Sequence, residues 1–186
     1  MTAYCSTTSV EETVEEPVTT GTFTVRRARS DDVRHILALV EPFVNRRILL
    51  GKDPVVLYAS IQQFRIAVDE NDRPIGCGAL HVMWEDLGEI RTVALEASWL
   101  HRGVGHAILD ALETDARELG LTRLFCLTFE VEFFARHGFE PMREQPVDPA
   151  MYAELLRSTD EGVAEFLDLA RVKPNTLGNT RMLKHL

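Results

Sequence analysis

The chain has 186 residues, 45% of them hydrophobic and 26% charged. That balance excludes a disordered, collagenous or coiled-coil chain and fits one globular domain. Its 20 Lys and Arg face 29 Asp and Glu, a formal net charge of −9, so the footprint of a nucleic-acid binder is missing. No apolar run approaches the roughly 18 residues of a membrane span, and the N-terminus lacks the basic-then-apolar layout of a signal peptide. A cytoplasmic protein working without nucleic acid or membrane is expected.

Residues 1–21 form a Thr/Val/Glu tail with four glutamates and no Lys or Arg, read as disordered, and the folded domain is expected over 22–186. A strand is predicted from Phe23 to Arg29, then a helix with Ser30 as N-cap that Pro42 interrupts or kinks. A second helix is predicted from Asp53 through Ile61, with Asp53 as cap and Pro54 in first position. Phe64 to Val68 and Ile75 to Trp84 read as a hairpin around a turn at Asp69 to Pro74, followed by a strand from Gly88 to Leu95. Val104, Ile108, Leu112, Ala116 and Leu119 make the clearest helical stripe, stopped by Gly120. A strand from Arg123 to Phe129 and a short helix from Glu132 to Arg136, ending at Gly138, follow. The rest reads as loop, a helix near Met151 to Leu156, another from Gly162 to Ala170, and a last strand from Thr180 to His185. The order predicts an α+β fold with a mixed sheet. Cys5 falls in the tail, while Cys77 and Cys126 lie in strand-like runs without CxxC spacing, so neither disulfides nor a metal site is expected. Both strand cysteines read as small buried hydrophobes, with a nucleophilic Cys126 as the competing reading.

The most informative stretch runs from Leu95 to Ala107, where a strand ends and Gly103 and Gly105, spaced G-x-G, open the best helix. Glycine permits tight turning and close backbone approach, and a helix start offers unpaired N–H groups and partial positive charge, a ready site for phosphate. His101, Arg102 and His106 add donors around the turn. The third glycine of a dinucleotide fingerprint is missing, and no Gly-Lys-Ser/Thr follows as in a Walker loop. A tight turn that binds nothing is the competing reading.

The turn Arg102-Gly103-Val104-Gly105-His106-Ala107, the helix end Glu118-Leu119-Gly120, the strand from Arg123 and the segment Glu132 to Phe139 together resemble the GNAT acetyltransferases. The resemblance implies a GNAT acyltransferase fold, a central mixed, mostly antiparallel sheet flanked by helices. It also implies acetyl-CoA as co-substrate, no metal, and a turn that cradles the pyrophosphate. Leu100 stands where that family usually has Arg or Gln, so the pyrophosphate is expected to lean on backbone N–H groups with Arg102 and His101. Within the family the closer likeness is to the N-acetylglutamate synthases, on Gly88 to Ala94, Arg123 to Thr128 and Val172 to Leu183. It implies acetyl transfer to the α-amine of L-glutamate, the first step of arginine biosynthesis, in a short form without the amino-acid-kinase-like domain of the long synthases.

Transfer to an amine needs a base, a donor for the developing oxyanion, help for the leaving thiolate and alignment of both substrates. The resemblance places Glu89 as base, with a strand glutamate paired to Arg91 as the competing reading. It places the N–H groups of Val93 and Leu95, flanking Ala94, on the acetyl carbonyl and pantetheine arm. The tyrosine many relatives use as acid is replaced by Phe134, and Thr128 is the substitute, against a threonine in a local hydrogen bond. Phe133 is expected toward core or pantetheine, and Arg136 near the 3′-phosphate. A dicarboxylate acceptor needs cations. Arg46, Arg47 and Lys52 between the first helices, Arg91, and Lys173 and Arg181 near the C-terminus are the candidates, with Asn175, Asn179 and Thr180 as neutral donors. His81, Met83, Trp84 and Trp99 read as packing residues, with Trp99 also a flank for the cofactor, and His137 as a helix-end cation. Acceptors other than glutamate (glutamine, another amino acid, a protein N-terminus, an antibiotic) and a non-catalytic acetyl-CoA-binding module are the alternatives, and a homodimer is the candidate assembly.

Overall fold

The structure, a computed structural model, describes residues 22–46, 48–49, 51–143, 147–167, 169 and 178–186. The predicted tail, with Cys5, lies outside these, as do Arg47, Lys173 and Asn175.

Strand β1 (Phe23–Arg27) leads through a 3₁₀ turn into helices α1 (Val33–Asn45) and α2 (Pro54–Ala59). Strands β2 (Phe64–Asp69), β3 (Pro74–Val82) and β4 (Leu87–Leu95) follow as a meander, then α3 (Val104–Glu118), β5 (Arg123–Thr128) and α4 (Val131–Arg136). The two-residue β6 (Glu140–Pro141), helices α5 (Pro149–Leu155) and α6 (Glu161–Phe166), and β7 (Thr180–His185) complete the described elements. They form a seven-stranded sheet in the order β1-β2-β3-β4-β5-β7-β6. Every neighbouring pair is antiparallel except β4 and β5, so the sheet is mixed and mostly antiparallel, as expected.

Local chemistry accounts for most boundaries. Pro54 starts α2 after Asp53, and Asp69 closes the β2–β3 turn by accepting the N–H groups of Asn71 and Arg73. Gly120 and Gly138, at φ +80° and +81°, follow α3 and α4 in the left-handed conformation of helix ends. Three expectations need correction. Ser30 does not cap the first helix; it lies inside the 3₁₀ turn Ser30–Asp32, whose entry is held by Asp32 Oδ2 accepting the Arg29 N–H at 2.7 Å. Pro42 does not interrupt α1, which runs on to Asn45, a position tolerated because only one N–H is removed near the helix end. Glu140 and Pro141, read as loop, pair with Leu183 and Met182, an edge position where proline's missing N–H costs little.

Three apolar clusters divide the sheet's faces. On one face Ile108, Leu109, Leu112 and Ala116 of α3 pack with Leu124 and Cys126 of β5 and with Phe134 and Phe139 around α4. On the other, Val33, Ile36, Val40 and Leu57 of α1 and α2 cover Cys77 and Ala79. Beside them Met151, Leu155, Val163 and Phe166 of α5 and α6 cover Met83, Leu87 and Phe125. Full burial of each large aliphatic side chain contributes about 1.5–3 kcal/mol. The second face thus carries two helical pairs, one over the middle of β3 and the other over the β3–β4 turn and β5.

Candidate active site

The one parallel contact is short. β4 and β5 stay in register from Leu87↔Arg123 to Ile90↔Cys126 and no further, while β5 remains paired to β7 through Thr128↔Thr180. Beyond Ile90 the two strands part. On its other side β4 follows β3 with one extra residue: Cys77 faces Ala94, but Ala79 faces Arg91. The bulge centres on Thr92, whose φ of +59° is strained for a β-branched residue. Glu96 donates its N–H to the Ile75 carbonyl at 2.8 Å. By strand alternation Leu95 and Val93 therefore turn their N–H groups the other way, into the gap.

The glycine turn lies beside that gap. Gly103 is the N-cap of α3 at φ +81°, and a Cβ at Gly105 would stand 3.3 Å from both Leu95 and the Phe133 ring. Gly103 thus supplies conformation and Gly105 supplies close approach. The first N–H groups of α3, at Val104, Gly105 and His106, have no partner within the helix, and the first turn holds no acidic residue. Arg102 sits with its guanidinium carbon 5.2 Å from the Trp99 ring, so Trp99 packs in the core against Phe23 and also orients a cation of the turn. His101 is exposed at φ +60°, Leu100 is 46% exposed, and Ala107 is part-buried one turn into the helix. His106 Nδ1 lies 2.6 Å from His137 Nε2 with the rings stacked, and Phe133 packs against both. Burial, then the charge of His106, holds the His137 pKa below its ordinary value. Arg136 is exposed at the end of α4. A gap edged by strand N–H groups, next to a basic helix start, fits an extended arm ending in phosphates.

On the opposite face Glu89 and His81 form a direct cross-strand pair, and Arg91 follows two residues along. Glu89 is 6% exposed. Arg91 Nη1 donates to Glu89 Oε2 at 3.4 Å and to Asp160 Oδ2 at 3.0 Å, and His81 Nε2 stands 3.8 Å from the same Asp160 oxygen. Asp160 Oδ1 accepts the N–H groups of Gly162 and Val163 at 2.8 and 3.2 Å, capping α6. Burial works to raise the Asp160 pKa, and the charge and hydrogen bond of Arg91 outweigh it, leaving that pKa low. His81 is held below its ordinary value by burial, then by the nearby charges of Arg91 and Lys52. Arg181 shares its face with Leu183, which packs against α5 and α6, so alternation puts it on the Glu89 side of the sheet. Arg46 is exposed just beyond α1.

Thr128 belongs to the other face, in alternation with Leu124 and Cys126, and its Oγ1 accepts the Glu130 N–H at 2.8 Å. The local hydrogen bond of the competing reading is therefore present, and the hydroxyl proton is left for another acceptor. Phe134 is buried against Phe139. Met83 and Trp84 pack with the α5–α6 cluster as expected. His81 is corrected: it belongs to the Glu89–Arg91–Asp160 group rather than to a packed core. A nucleophilic Cys126 is also corrected, because burial, then the charge of Glu89, raises its thiol pKa well above the ordinary value. Sequence reasoning missed Asp160, Gly162 and the Thr92 bulge. The run Ser158-Thr159-Asp160 before a helix is a capping signal, but nothing local says what it caps against. Among the described residues no group of three or more His, Cys, Asp or Glu is arranged to hold a metal ion, and no helix is long and apolar enough to cross a membrane.

Residues 30–139 match the Acetyltransferase (GNAT) family. An amino-acid acetyltransferase of Mycobacterium tuberculosis is 54% identical over 161 residues, spanning 86% of this chain and 92% of the relative. Another, of Pseudomonas fluorescens, is 35% identical over 133 residues, and there the match covers 70% of this chain but only 30% of the longer relative. Among solved structures, Rv2747 from Mycobacterium tuberculosis in complex with CoA and NLQ superposes with a TM-score of 0.84 at 53% identity, covering 88% of this chain and 99% of that one. N-acetylglutamate synthase from Neisseria gonorrhoeae, complexed with coenzyme A and N-acetyl-glutamate, gives a TM-score of 0.70 at 25% identity, covering 89% of this chain and 35% of that one.

Proposed function

Because the chain belongs to the acetyltransferase (GNAT) family, we propose that it transfers the acetyl group of acetyl-CoA to the α-amine of L-glutamate, with Glu89 as general base. The names and ligands of its relatives support the acceptor class. The observation that carries the base is a carboxylate 6% exposed, on the strand that parts from its neighbour one residue later. Acetyl-CoA supplies an activated thioester carbonyl. Glu89 takes a proton from the acceptor ammonium, directly or through one water, so that the amine nitrogen can bond to the carbonyl carbon. The N–H groups of Val93 and Leu95 face the oxygen on which charge develops. The carbon–sulfur bond then breaks; the Thr128 hydroxyl gives the departing sulfur its proton and regains one as the new amide nitrogen sheds its second proton, so that CoA leaves as the thiol and Thr128 ends neutral. The N–H groups of Val104, Gly105 and His106, with His101, Arg102 and Arg136, hold the phosphates, and Phe133 flanks the arm. Lys52, Arg91 and Arg181, with Arg47 and Lys173, meet the acceptor's carboxylates.

The base and the acid lie on opposite faces of the sheet, as a reaction through the gap requires. Cytoplasmic residence is supported by the two buried free thiols Cys77 and Cys126. A homodimer is the assembly to look for by light scattering.

The test is thiol release from acetyl-CoA mixed with a panel of amino acids. Glutamate-dependent release that Glu89→Gln lowers by about 10²–10⁴, with acetyl-CoA affinity unchanged, is the expected result. Release with other amines only would move the acceptor. Saturable CoA binding without any release would leave a non-catalytic binding module.

A further inference from the structure

The first turn of α6 closes directly over Glu89. A Cβ built on Gly162 would stand 2.1 Å from Glu89 Oε2 and 2.6 Å from its Cδ, so this backbone touches the carboxylate with no side chain between. One residue fixes the contact. Asp160 uses one oxygen to hold the N–H groups of Gly162 and Val163 and the other to hold Arg91, which also reaches Glu89.

We propose that Asp160 is a positioning residue for Glu89, acting through Arg91 and through the first turn of α6. This rests on Glu89 being the base. Two effects follow from the geometry. The tie keeps α6 seated, so Glu89 is screened from bulk water on that side. It also shares the Arg91 guanidinium between two carboxylates, so Glu89 does not take the full stabilisation of a private ion pair. A base paired with a guanidinium it does not share is a weaker base. The other group facing Glu89 is His81 across the strand pair, with Lys52 acting on His81; the Cys126 thiol of β5 lies on the sheet's other face and feels only the Glu89 charge.

Two substitutions separate this role from simple helix capping. Asn and Ser cap a helix about as well as Asp, so D160N and D160S preserve the α6 start while removing the charge that competes for Arg91. The pH profile of kcat/KM for glutamate is measured for both, with thermal stability and KM for acetyl-CoA. The expected result is an acid limb moved down by about half a pH unit or more and a plateau kcat lowered about tenfold, with KM for acetyl-CoA unchanged. G162A adds a second readout: its methyl must displace the Glu89 carboxylate, so kcat falls comparably although alanine favours the helix. Profiles of folded D160N or D160S that superpose on the wild type overturn the proposal, as does a wild-type kcat for G162A. Glu89→Gln run in parallel keeps the two ideas apart. If it retains full turnover, the base assignment falls. If it is inactive while D160N and D160S match the wild type, only the positioning role falls.

Discussion

The Lys184 ammonium of β7 meets the Glu113 carboxylate of α3 at 2.5 Å, and its nitrogen lies 5.8 Å from the centre of the Phe139 ring. Both side chains are largely buried, and Arg117 adds a longer contact to Glu113 at 3.4 Å. The pair fastens the last strand to the helix that opens at the glycine turn. Removing one partner leaves a charge in a poorly solvated place, whereas removing both with apolar groups of similar size does not. Lys184→Met is expected to cost about 3 kcal/mol, the low end of such losses because Arg117 remains. The double variant with Glu113→Leu should recover most of it. A double-mutant cycle on urea unfolding checks this, and equal losses in the single and double variants would contradict it.

Gly105→Val puts branched methyl groups where one Cβ already comes within 3.3 Å of Leu95 and Phe133. Helix α3 must lift from α4, at about 1–3 kcal/mol of overpacking. The same displacement moves the helix start, so KM for acetyl-CoA should rise severalfold more than KM for the acceptor. Isothermal titration with CoA and steady-state kinetics give the two numbers separately.

His137 carries a pH signature. Its folded pKa is depressed, by burial first and by His106 second, so the unfolded chain binds more protons than the folded one just below pH 6.5. The sign is therefore that stability falls as pH drops from 6.5 towards the lowered folded value, and this contribution is constant above and below that window. Calorimetric melts of the wild type and His137→Gln between pH 5 and 7.5 should diverge in slope within the window and run parallel above it.

Neither Cys77 nor Cys126 should react with a thiol reagent in the folded protein. Burial pushes the Cys77 thiol up to about 12, and Cys126 is also well above its ordinary value. At pH 8 at most one of the three cysteines of the chain should titrate before denaturant is added and all three after it. Cys126→Ala should retain turnover, since a protonated buried thiol is no nucleophile.

Features set by neighbours in sequence were legible beforehand. Gly103 before the apolar stripe of α3, Gly138 after α4, and Pro54 at the start of α2 each follow from a local backbone requirement, and the structure has all of them, while Asp53 holds the N-cap position without a side-chain capping bond. Glu89 and Arg91 were nameable together because alternation puts residues two apart on one face. What escaped depends on distant partners. Asp160 and Gly162 reach Glu89 across about 70 positions of chain, and no periodicity encodes that meeting. His81 reads as an ordinary strand histidine until Asp160 arrives beside it. Thr92 runs against its own propensity: a β-branched residue suits a regular strand, yet the bulge holds it at φ +59°. Such a local conflict, at the mouth of the gap, is a place where tertiary demands overrule the sequence.

The parting of β4 and β5 gives the sheet the character of a partition with a single slit. On the proposed reaction acetyl-CoA lies on the α3 and α4 side, the acceptor on the Glu89 side, and only the reacting atoms share the slit. An inhibitor that reaches both faces then has to pass between the two strands, so its middle must be slender. Bulk added at either end meets a different wall, the basic helix start on one side and the Arg91–Asp160 pair on the other.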